Sequence, residues 1–387
     1  SDVALALQQQ LPREAPGGAA VCVYHRGRPV VDLWGGTRDG DGSPWRADTT
    51  APSFSTTKGV LSTLVHLLVH QGRARYDDPV ASHWPEFAAA GKDRITIRQA
   101  LCHEAGLYRA TPLLEHAEDL RDYALMKDRL AAATPVHVPG AAHGYHALTY
   151  GWLVGGLAEA IGGRPLAQLL AEELAEPLAL DGLYIGLPDH ALDRRAWLIH
   201  DDGVSRPPQE SPAPGAARRR RWRDGALRAI GMHPDEFRAA LMPFREPFDW
   251  NARETVQAVI PAANGQFTAC SLARMYAMIA EGGRLDDVRL LSADRVRRMG
   301  EVQNRTRDRV LFLRMHWRLG YHRVFSFGGR LPEAFGHFGY GGSGAWCDPS
   351  RRLAVALTLN SGVGTPVGDL RIARLNRRVL QALERLR

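Results

Sequence analysis

Three short stretches carry side chains whose types and spacing could do chemistry together. Ser55-Thr56-Thr57-Lys58 sets a hydroxyl and an amine three residues apart. On a helix such residues share a face, so a serine at the first turn meets the amine one turn later. Serine is a weak nucleophile until a base or a nearby cation activates it. The free N–H groups at a helix start can also face an oxyanion. The chain has three lysines, Lys58, Lys92 and Lys127, within 49 Lys+Arg. Arginine cannot release its proton, so lysine at this place points to an amine that has to become neutral. Four residues are a short pattern that chance also produces. What singles this one out is its position at the start of a strongly apolar helix.

The second stretch is Gly144-Tyr145-His146-Ala147, after Pro139-Gly140 and before an apolar helix. A phenol beside an ammonium group can have its pKa lowered enough to act as a base. Taken alone, Tyr145 reads as a structural tyrosine. The third is His337-Phe338-Gly339-Tyr340-Gly341-Gly342-Ser343-Gly344. A glycine-rich entry to a strand lets a substrate approach the backbone, and its amides could stabilise an oxyanion; alone it is a turn. Residue 345 is Ala345, so Ser343 is not in a G-x-S-x-G elbow.

These stretches need elements to position them. Ala19 to Tyr24 and Pro29 to Trp34 read as two strands around the turn His25-Arg26-Gly27-Arg28. Thr57 to Gly72 reads as a helix apolar nearly all round, hence buried. Residues 80 to 260 look helical and loop-rich, with helices at Thr96–Leu101, within Leu113–Ala133, at Leu148–Ile161 and at Leu166–Leu174. Beyond 260 come a helix at Ala269–Glu281, a strand at Leu353–Leu359 and a terminal helix at Leu370–Leu386. The expectation is an α+β chain in two parts. Residues 1–80 and 261–387 form a domain with an antiparallel sheet, and 81–260 form a mainly helical insert. No internal repeat of 20–50 residues is visible.

With 387 residues, 45% hydrophobic and 24% charged, the composition is that of a globular protein and excludes disorder, collagen or coiled coil as a description of the whole. The run Val60–Val69, broken by Ser62, Thr63 and His66, falls short of the roughly 20 residues of a membrane helix. The net charge of +7 comes almost entirely from arginine, which reflects coding bias more than a phosphate-binding surface. The run Arg218-Arg219-Arg220-Arg221-Trp222-Arg223 reads first as a solvated loop or helix start, though such runs can bind anionic partners. The four cysteines are scattered without a CxxC pair, so neither a zinc site nor a disulfide framework is expected. No metal or organic cofactor is implied. The expected setting is cytoplasmic, with no membrane and no nucleic-acid partner; the oligomeric state is open.

In their order and separation, Ser55-x-x-Lys58, Tyr145 and His337-x-Gly339 resemble the serine β-lactamase and penicillin-binding superfamily. More narrowly, the chain is similar to the class C β-lactamase-like family VIII carboxylesterases. Ile95 to Leu107, Tyr184 to Pro188, Pro261 to Gly265 and His337 to Pro349 share the likeness, which runs from near residue 15 to the C-terminus. The resemblance implies an antiparallel sheet flanked by helices, with a helical domain inserted and the site in the groove between them. It makes Ser55 the acylated nucleophile, with Lys58 and Tyr145 sharing the base role. Which of the two is neutral at rest is a coupled-titration question that stays open. The backbone N–H groups of Ser55 and Tyr340 would hold the oxyanion. His337, Phe338, Gly339 and Trp346 would face the substrate.

Two departures matter. Ala147 stands where β-lactamases of this class carry the Asn of Tyr-x-Asn, and His337 and Phe338 stand where they carry Lys-Thr. The lost amide would hold a β-lactam side chain and the lost ammonium its carboxylate. Neutral esters with short- to medium-chain acyl groups are therefore the expected substrates. A β-lactamase or acyltransferase of the same fold is the alternative, and a non-catalytic scaffold a lesser one, opposed by the intact Ser55, Lys58 and Tyr145. His146 is read as structural. Tyr123, Trp152, Phe248 and Trp317 are further aromatic candidates for a pocket, each read first as core. The stretch 201–224 is a candidate cover for the groove.

Overall fold

The structure, a computed structural model, describes residues 2–12, 16–199, 204–205, 216–229, 231–244, 246–361 and 369–385. Helix α1 (Asp2–Gln8) precedes β1 (Gly18–His25) and β2 (Arg28–Gly36). The short β3 (Ala51–Pro52) turns into α2 (Thr56–His70). The middle of the chain holds α3 (Ile97–Leu101), α4 (Tyr123–Ala132), α5 (Thr149–Gly162), α6 (Leu166–Leu170), β4 (Leu183–Tyr184), β5 (Val204–Ser205), α7 (Ala216–Ala229), α8 (Pro234–Leu241), β6 (Phe248–Asp249) and α9 (Arg253–Gln257). Then come β7 (Gln266–Phe267), α10 (Ala269–Ala280), β8 (Arg284–Leu285), β9 (Val288–Arg289), α11 (Ala293–Gly300), β10 (His322–Arg323), β11 (Phe335–Phe338), β12 (Gly344–Asp348), β13 (Leu353–Leu359) and α12 (Arg371–Glu384).

The two ends of the chain build one antiparallel sheet, ordered β10-β11-β12-β13-β1-β2. The turn between β1 and β2 has two central residues, Arg26 and Gly27, both at positive φ (52° and 75°), which matches the twist of a hairpin. β1 then pairs with β13, from Ala19 opposite Leu359 to His25 opposite Leu353. Alternate residues of β1 enter two different cores. Ala20, Cys22 and Tyr24 pack with α2 and α10, while Ala19, Val21 and Val23 pack with α1 and α12. A strand covered on both faces is a continuous apolar run, as the stretch at 19–24 is. A small second sheet, β3-β7-β4, ties the start of α2 to the middle of the chain.

Helix α2 is the buried centre: every residue from Thr56 to Val69 is buried. It packs between the sheet and α5, and the glycines of α5 let the 261–262 backbone lie against that helix. A Cβ on Gly151 would lie 2.6 Å from the backbone nitrogen of Ala262. Gly163, at φ 66°, ends α5 in the left-handed cap that favours glycine. The helix expected over Leu166–Leu174 stops being α at Leu170. It continues as a wider π turn over Ala171–Ala175, which carries Glu173 into ion pairs with Arg164 and Arg73. Most of 201–224, the candidate cover, lies outside the described residues. From Ala216 the arginine run is the first half of α7, with Arg218, Arg221 and Trp222 exposed, in keeping with a solvated helix start. Among the described residues, no helix is long and apolar enough to cross a membrane.

Gly151 gives a direct test of this packing. Alanine is the better helix former by about 1 kcal/mol, but overpacking costs about 1–3 kcal/mol, and the neighbour here is backbone that cannot swing aside. Gly151→Ala is expected to lower the melting temperature. A melting temperature equal to or above the parent's would contradict this account.

Candidate active site

The turn from β3 into α2 aims the serine. Phe54, just before it, holds φ at 41°, a left-handed conformation costing a bulky residue about 1–3 kcal/mol. It is pinned there by the N–H of Thr57, which donates to its carbonyl at 2.9 Å, and by its ring, which meets Trp250 and Tyr340 edge-on at 5.3 and 5.5 Å. Ser55 then occupies the N-cap position of α2, yet its hydroxyl makes no capping bond. A serine there normally caps the helix, worth about 1 kcal/mol. Instead Oγ lies 2.8 Å from Lys58 Nζ and 2.7 Å from the Tyr145 hydroxyl. The sequence pattern put Ser55 and Lys58 on one helix face. The structure adds Tyr145 from the loop before α5.

Both partners of Oγ are buried, with opposite consequences. Lys58 is fully buried, and among the described residues its side-chain nitrogen donates only to Ser55 Oγ and, at 3.0 Å, to the carbonyl of Ala262. Burial holds its pKa well below the usual amine value, which favours the neutral amine. The Tyr145 phenol moves the other way. Burial pushes it above the usual phenol value and the charge of Asp308 adds to this, while the bond to Ser55 pulls it down. The expectation that Tyr145 has a lowered pKa is therefore reversed, because desolvation disfavours a phenolate just as it disfavours an ammonium. The neighbourhood favours a resting pair of neutral amine and protonated phenol around one hydroxyl. A hydroxyl has one proton to donate and two lone pairs, so Oγ can donate to Lys58 while accepting from Tyr145.

The stretch 261–265 serves as a strut. The side chain of Asn264 accepts from the N–H of Ile260 and donates to the carbonyls of Thr255 and Ala258, which fixes the turn that presents the Ala262 carbonyl to Lys58. Gly339 brings the end of β11 against the turn before Ser55: a Cβ there would lie 2.3 Å from the Ser53 carbonyl. Tyr340 follows, its half-exposed ring against Phe54. The N–H of Ser55 has no acceptor among the described residues.

His337 faces the site. Its ring lies 6.2 Å from that of Tyr145, it is buried, and its Nε2 has no hydrogen-bond partner among the described residues. Burial, then His322 and Lys58, holds its pKa well below the usual imidazole value, so it is a neutral group where an ammonium would stand. Phe338 and Trp346 need correction. Strand residues alternate in direction, so Phe338 and Trp346 point to the opposite face of the sheet, into the core shared with α12. There Trp346 donates its Nε1–H to Asn376 at 2.8 Å. Trp152, Phe248 and Trp317 are fully buried, as their core reading has it. Tyr123 packs against the same core, half-buried. Ala147 is buried beside Tyr108 and Trp317.

His146 is structural, and its tautomer can be assigned. Its Nε2 accepts the N–H of Leu107 at 3.1 Å, so its Nδ1–H donates to the Gly144 carbonyl at 2.7 Å. Its own N–H donates to Nδ1 of His103 at 3.1 Å. The two rings thus fasten the Tyr145 loop to the segment 103–107. Sequence reasoning missed this backing, and it missed Phe54 and Trp250, whose rings meet edge-on next to Ser55. Nothing in their local patterns sets these residues apart from core aromatics.

The comparisons with known proteins follow this geometry. The family model described as Beta-lactamase matches residues 6–378. The esterase/beta-lactamase LipL of Mycobacterium tuberculosis is 40% identical over 363 residues, 92% of this chain and 80% of that protein. Among solved structures, a penicillin-binding protein homolog from Caulobacter crescentus is similar with a TM-score of 0.83 at 34% identity, covering 98% of this chain and 96% of the other. A family VIII carboxylesterase is similar at a TM-score of 0.83 and 32% identity, covering 98% and 96%.

The buried histidines give a pH prediction. His103 and His337 are held well below the usual value, His66 at about 3, and His146 and His322 at about 4, in each case by burial first. The unfolded chain, with imidazoles near 6.5, binds protons that the folded chain refuses. Stability is therefore full above about pH 6.5 and falls as pH drops toward 4, with each histidine adding up to about 1.4 kcal/mol per pH unit. Melting temperatures should hold from pH 7.5 to about 6.5 and fall steadily from there to pH 4.5. A flat profile would mean these rings are not kept neutral.

Proposed function

The chain belongs to the Beta-lactamase family, and on that premise we propose that it is a serine carboxylesterase cleaving neutral esters with short- to medium-chain acyl groups. The observation that carries this reading is Ser55 Oγ held 2.8 Å from a desolvated lysine and 2.7 Å from a buried phenol, with a neutral imidazole in place of a cation at residue 337. The likeness to a family VIII carboxylesterase and to an esterase/beta-lactamase supports the same class of hydrolase.

In this mechanism Oγ of Ser55 attacks the ester carbonyl and its proton passes to neutral Lys58. The carbonyl π electrons move to oxygen, and the oxyanion is held by the backbone N–H groups of Ser55 and Tyr340. As the C–O bond breaks, the phenol of Tyr145 protonates the leaving alkoxide and is reprotonated by the Lys58 ammonium. The products are an alcohol and an acyl-enzyme on Ser55. Water then enters, gives its proton to the same pair, and attacks the acyl carbon, which releases the acid and restores the serine. Lys58 and Tyr145 thus share the base role in sequence, the amine receiving the proton first. The apolar rings of Phe54 and Trp250 beside the nucleophile suit an uncharged substrate. The lack of an ammonium at residue 337 and of an amide at Ala147 disfavours a carboxylate-bearing β-lactam.

A second reading, β-lactam hydrolysis as a side activity, is favoured by the double name of the LipL relative. Side by side, p-nitrophenyl butyrate is expected to turn over far faster than nitrocefin; the reverse order would put the β-lactamase reading first. Ser55→Ala is expected to lose at least about 10³-fold in kcat. It should also lose the single covalent adduct that a p-nitrophenyl alkylphosphonate leaves on the parent, read by intact-protein mass spectrometry. Full turnover in that variant would remove Ser55 from the mechanism.

A further inference from the structure

Between α11 and β10, residues 301–321 run without a helix or a strand. Stretches of that length are uncommon inside a compact fold and usually carry function. This one is gathered around a single carboxylate. Asp308 is buried in the loop. Its Oδ1 accepts the backbone N–H of Tyr145 at 3.1 Å and those of Val310 and Leu311, each at 2.9 Å. Its Oδ2 accepts the Nε1–H of Trp317 at 2.9 Å and lies 3.3 Å from Nδ1 of His143. Around it, the other nitrogen of His143 meets Thr306 Oγ1 at 2.8 Å, and the N–H of Arg309 donates to the His143 carbonyl at 3.1 Å. An ionised carboxylate offers about four lone-pair positions and no donor, so four N–H donors and an imidazole nitrogen use all of its capacity.

The two ends of this network meet again at the site. Trp317, held by Oδ2, stacks on the Tyr145 ring with centroids 5.6 Å apart and planes 7° from parallel. Tyr145, held through its backbone by Oδ1, is fixed by the same carboxylate from a second direction. We propose that Asp308 is a positioning residue for the hydrolytic reaction: it holds the Tyr145 hydroxyl at Ser55 Oγ by binding both the backbone of Tyr145 and the indole against its ring. The proposal rests on the reading of Ser55, Lys58 and Tyr145 given above. A loop that only needed folding would be served by any buried acceptor. This one joins the phenol's backbone to the surface that sets its ring plane, and a misplacement of 1 Å in a reacting group can cost about 100-fold in rate.

Asp308 also acts through charge. The groups facing Tyr145 are Ser55, Lys58 with Nζ 5.0 Å from the ring centre, His103 at 5.2 Å, His337 at 6.2 Å, and Asp308. Burial keeps both histidines neutral, as it does the adjacent His146. Burial favours the neutral amine of Lys58 as well, which leaves Asp308, among these groups, as the neighbour whose charge acts on the phenol. A negative charge there keeps the proton on the phenol.

Two variants test this. Asp308→Asn keeps the volume but turns one acceptor oxygen into an NH2 that faces N–H donors. Trp317→Phe keeps a flat ring beside Tyr145 and removes one donor. Each would be followed by single-turnover acylation with p-nitrophenyl butyrate, by kcat and KM across pH, and by circular dichroism for folding. Asp308→Asn is expected to slow acylation by about 30- to 100-fold and Trp317→Phe by about 10-fold, with KM changed by less than about threefold. In Asp308→Asn the limb of the pH profile that reports the Lys58–Tyr145 pair should move to lower pH, a shift that a loss of stability alone does not produce. Parental acylation rates and an unmoved limb, at whatever melting temperature, would overturn the proposal. If Asp308→Asn does not fold, Trp317→Phe decides by its acylation rate: slowed at constant KM supports the proposal, unchanged overturns it. Failure of the underlying reading is seen separately, as a parent protein that the phosphonate does not label.

Discussion

Taking the amine of Lys58 out of water is the constraint to which the rest of the structure answers. An ammonium in an apolar interior is costly unless it is paired, and a group in that position neutralises instead. Among the described residues its hydrogen-bond partners are one hydroxyl and one carbonyl, with no carboxylate. That setting favours the neutral amine. It also dictates the helix that carries it, apolar on every side, and the glycine contact that brings α5 and the 261–262 backbone within reach. An acidic partner for Lys58 would stabilise the charge and remove the chemistry.

Around that amine, three chain segments far apart in sequence come together. The start of α2 supplies Ser55 and Lys58, the loop before α5 supplies Tyr145, and β11 brings His337 to 6.2 Å from the Tyr145 ring. Each is held by polar contacts that leave the nucleophile uncapped. Ser55 gives up the capping bond that its position would normally make, Phe54 takes a strained backbone angle, and Gly339 allows backbone to lie against backbone. These local costs are offset by the two-sided core that encloses the sheet. That sheet joins residues more than three hundred apart through the β1–β13 pairing.

The proposed preference for neutral esters rests on the charge pattern of the site. A buried imidazole at residue 337 and an alanine at residue 147 leave the groove without the ammonium and amide that would grip a carboxylate and an acyl amide. Aromatic rings stand beside the nucleophile. A neutral ester asks for nothing more than an activated serine, oxyanion donors and an apolar wall.

Much of this was legible from residues alone. Ser55-x-x-Lys58 at a helix start is local, because helical spacing brings the pair together whatever the rest of the chain does. The hairpin at 18–36, the buried α2 and the amphipathic α10 and α12 are likewise written in short-range periodicity. Tyr145 was reachable only through the order of motifs and the family likeness they carry. Tertiary structure decided the remainder. The direction of the Tyr145 pKa depends on how deeply the phenol is buried, which no local pattern records. Phe338 and Trp346 sit beside His337 in the motif, but strand alternation sends them through the sheet to α12, and which face meets the nucleophile is settled only when β11 pairs with β12. Asp308, one acidic residue in an irregular loop, has no signature at all. It matters only because folding brings the backbone of Tyr145 and the indole of Trp317 to the two oxygens of one carboxylate.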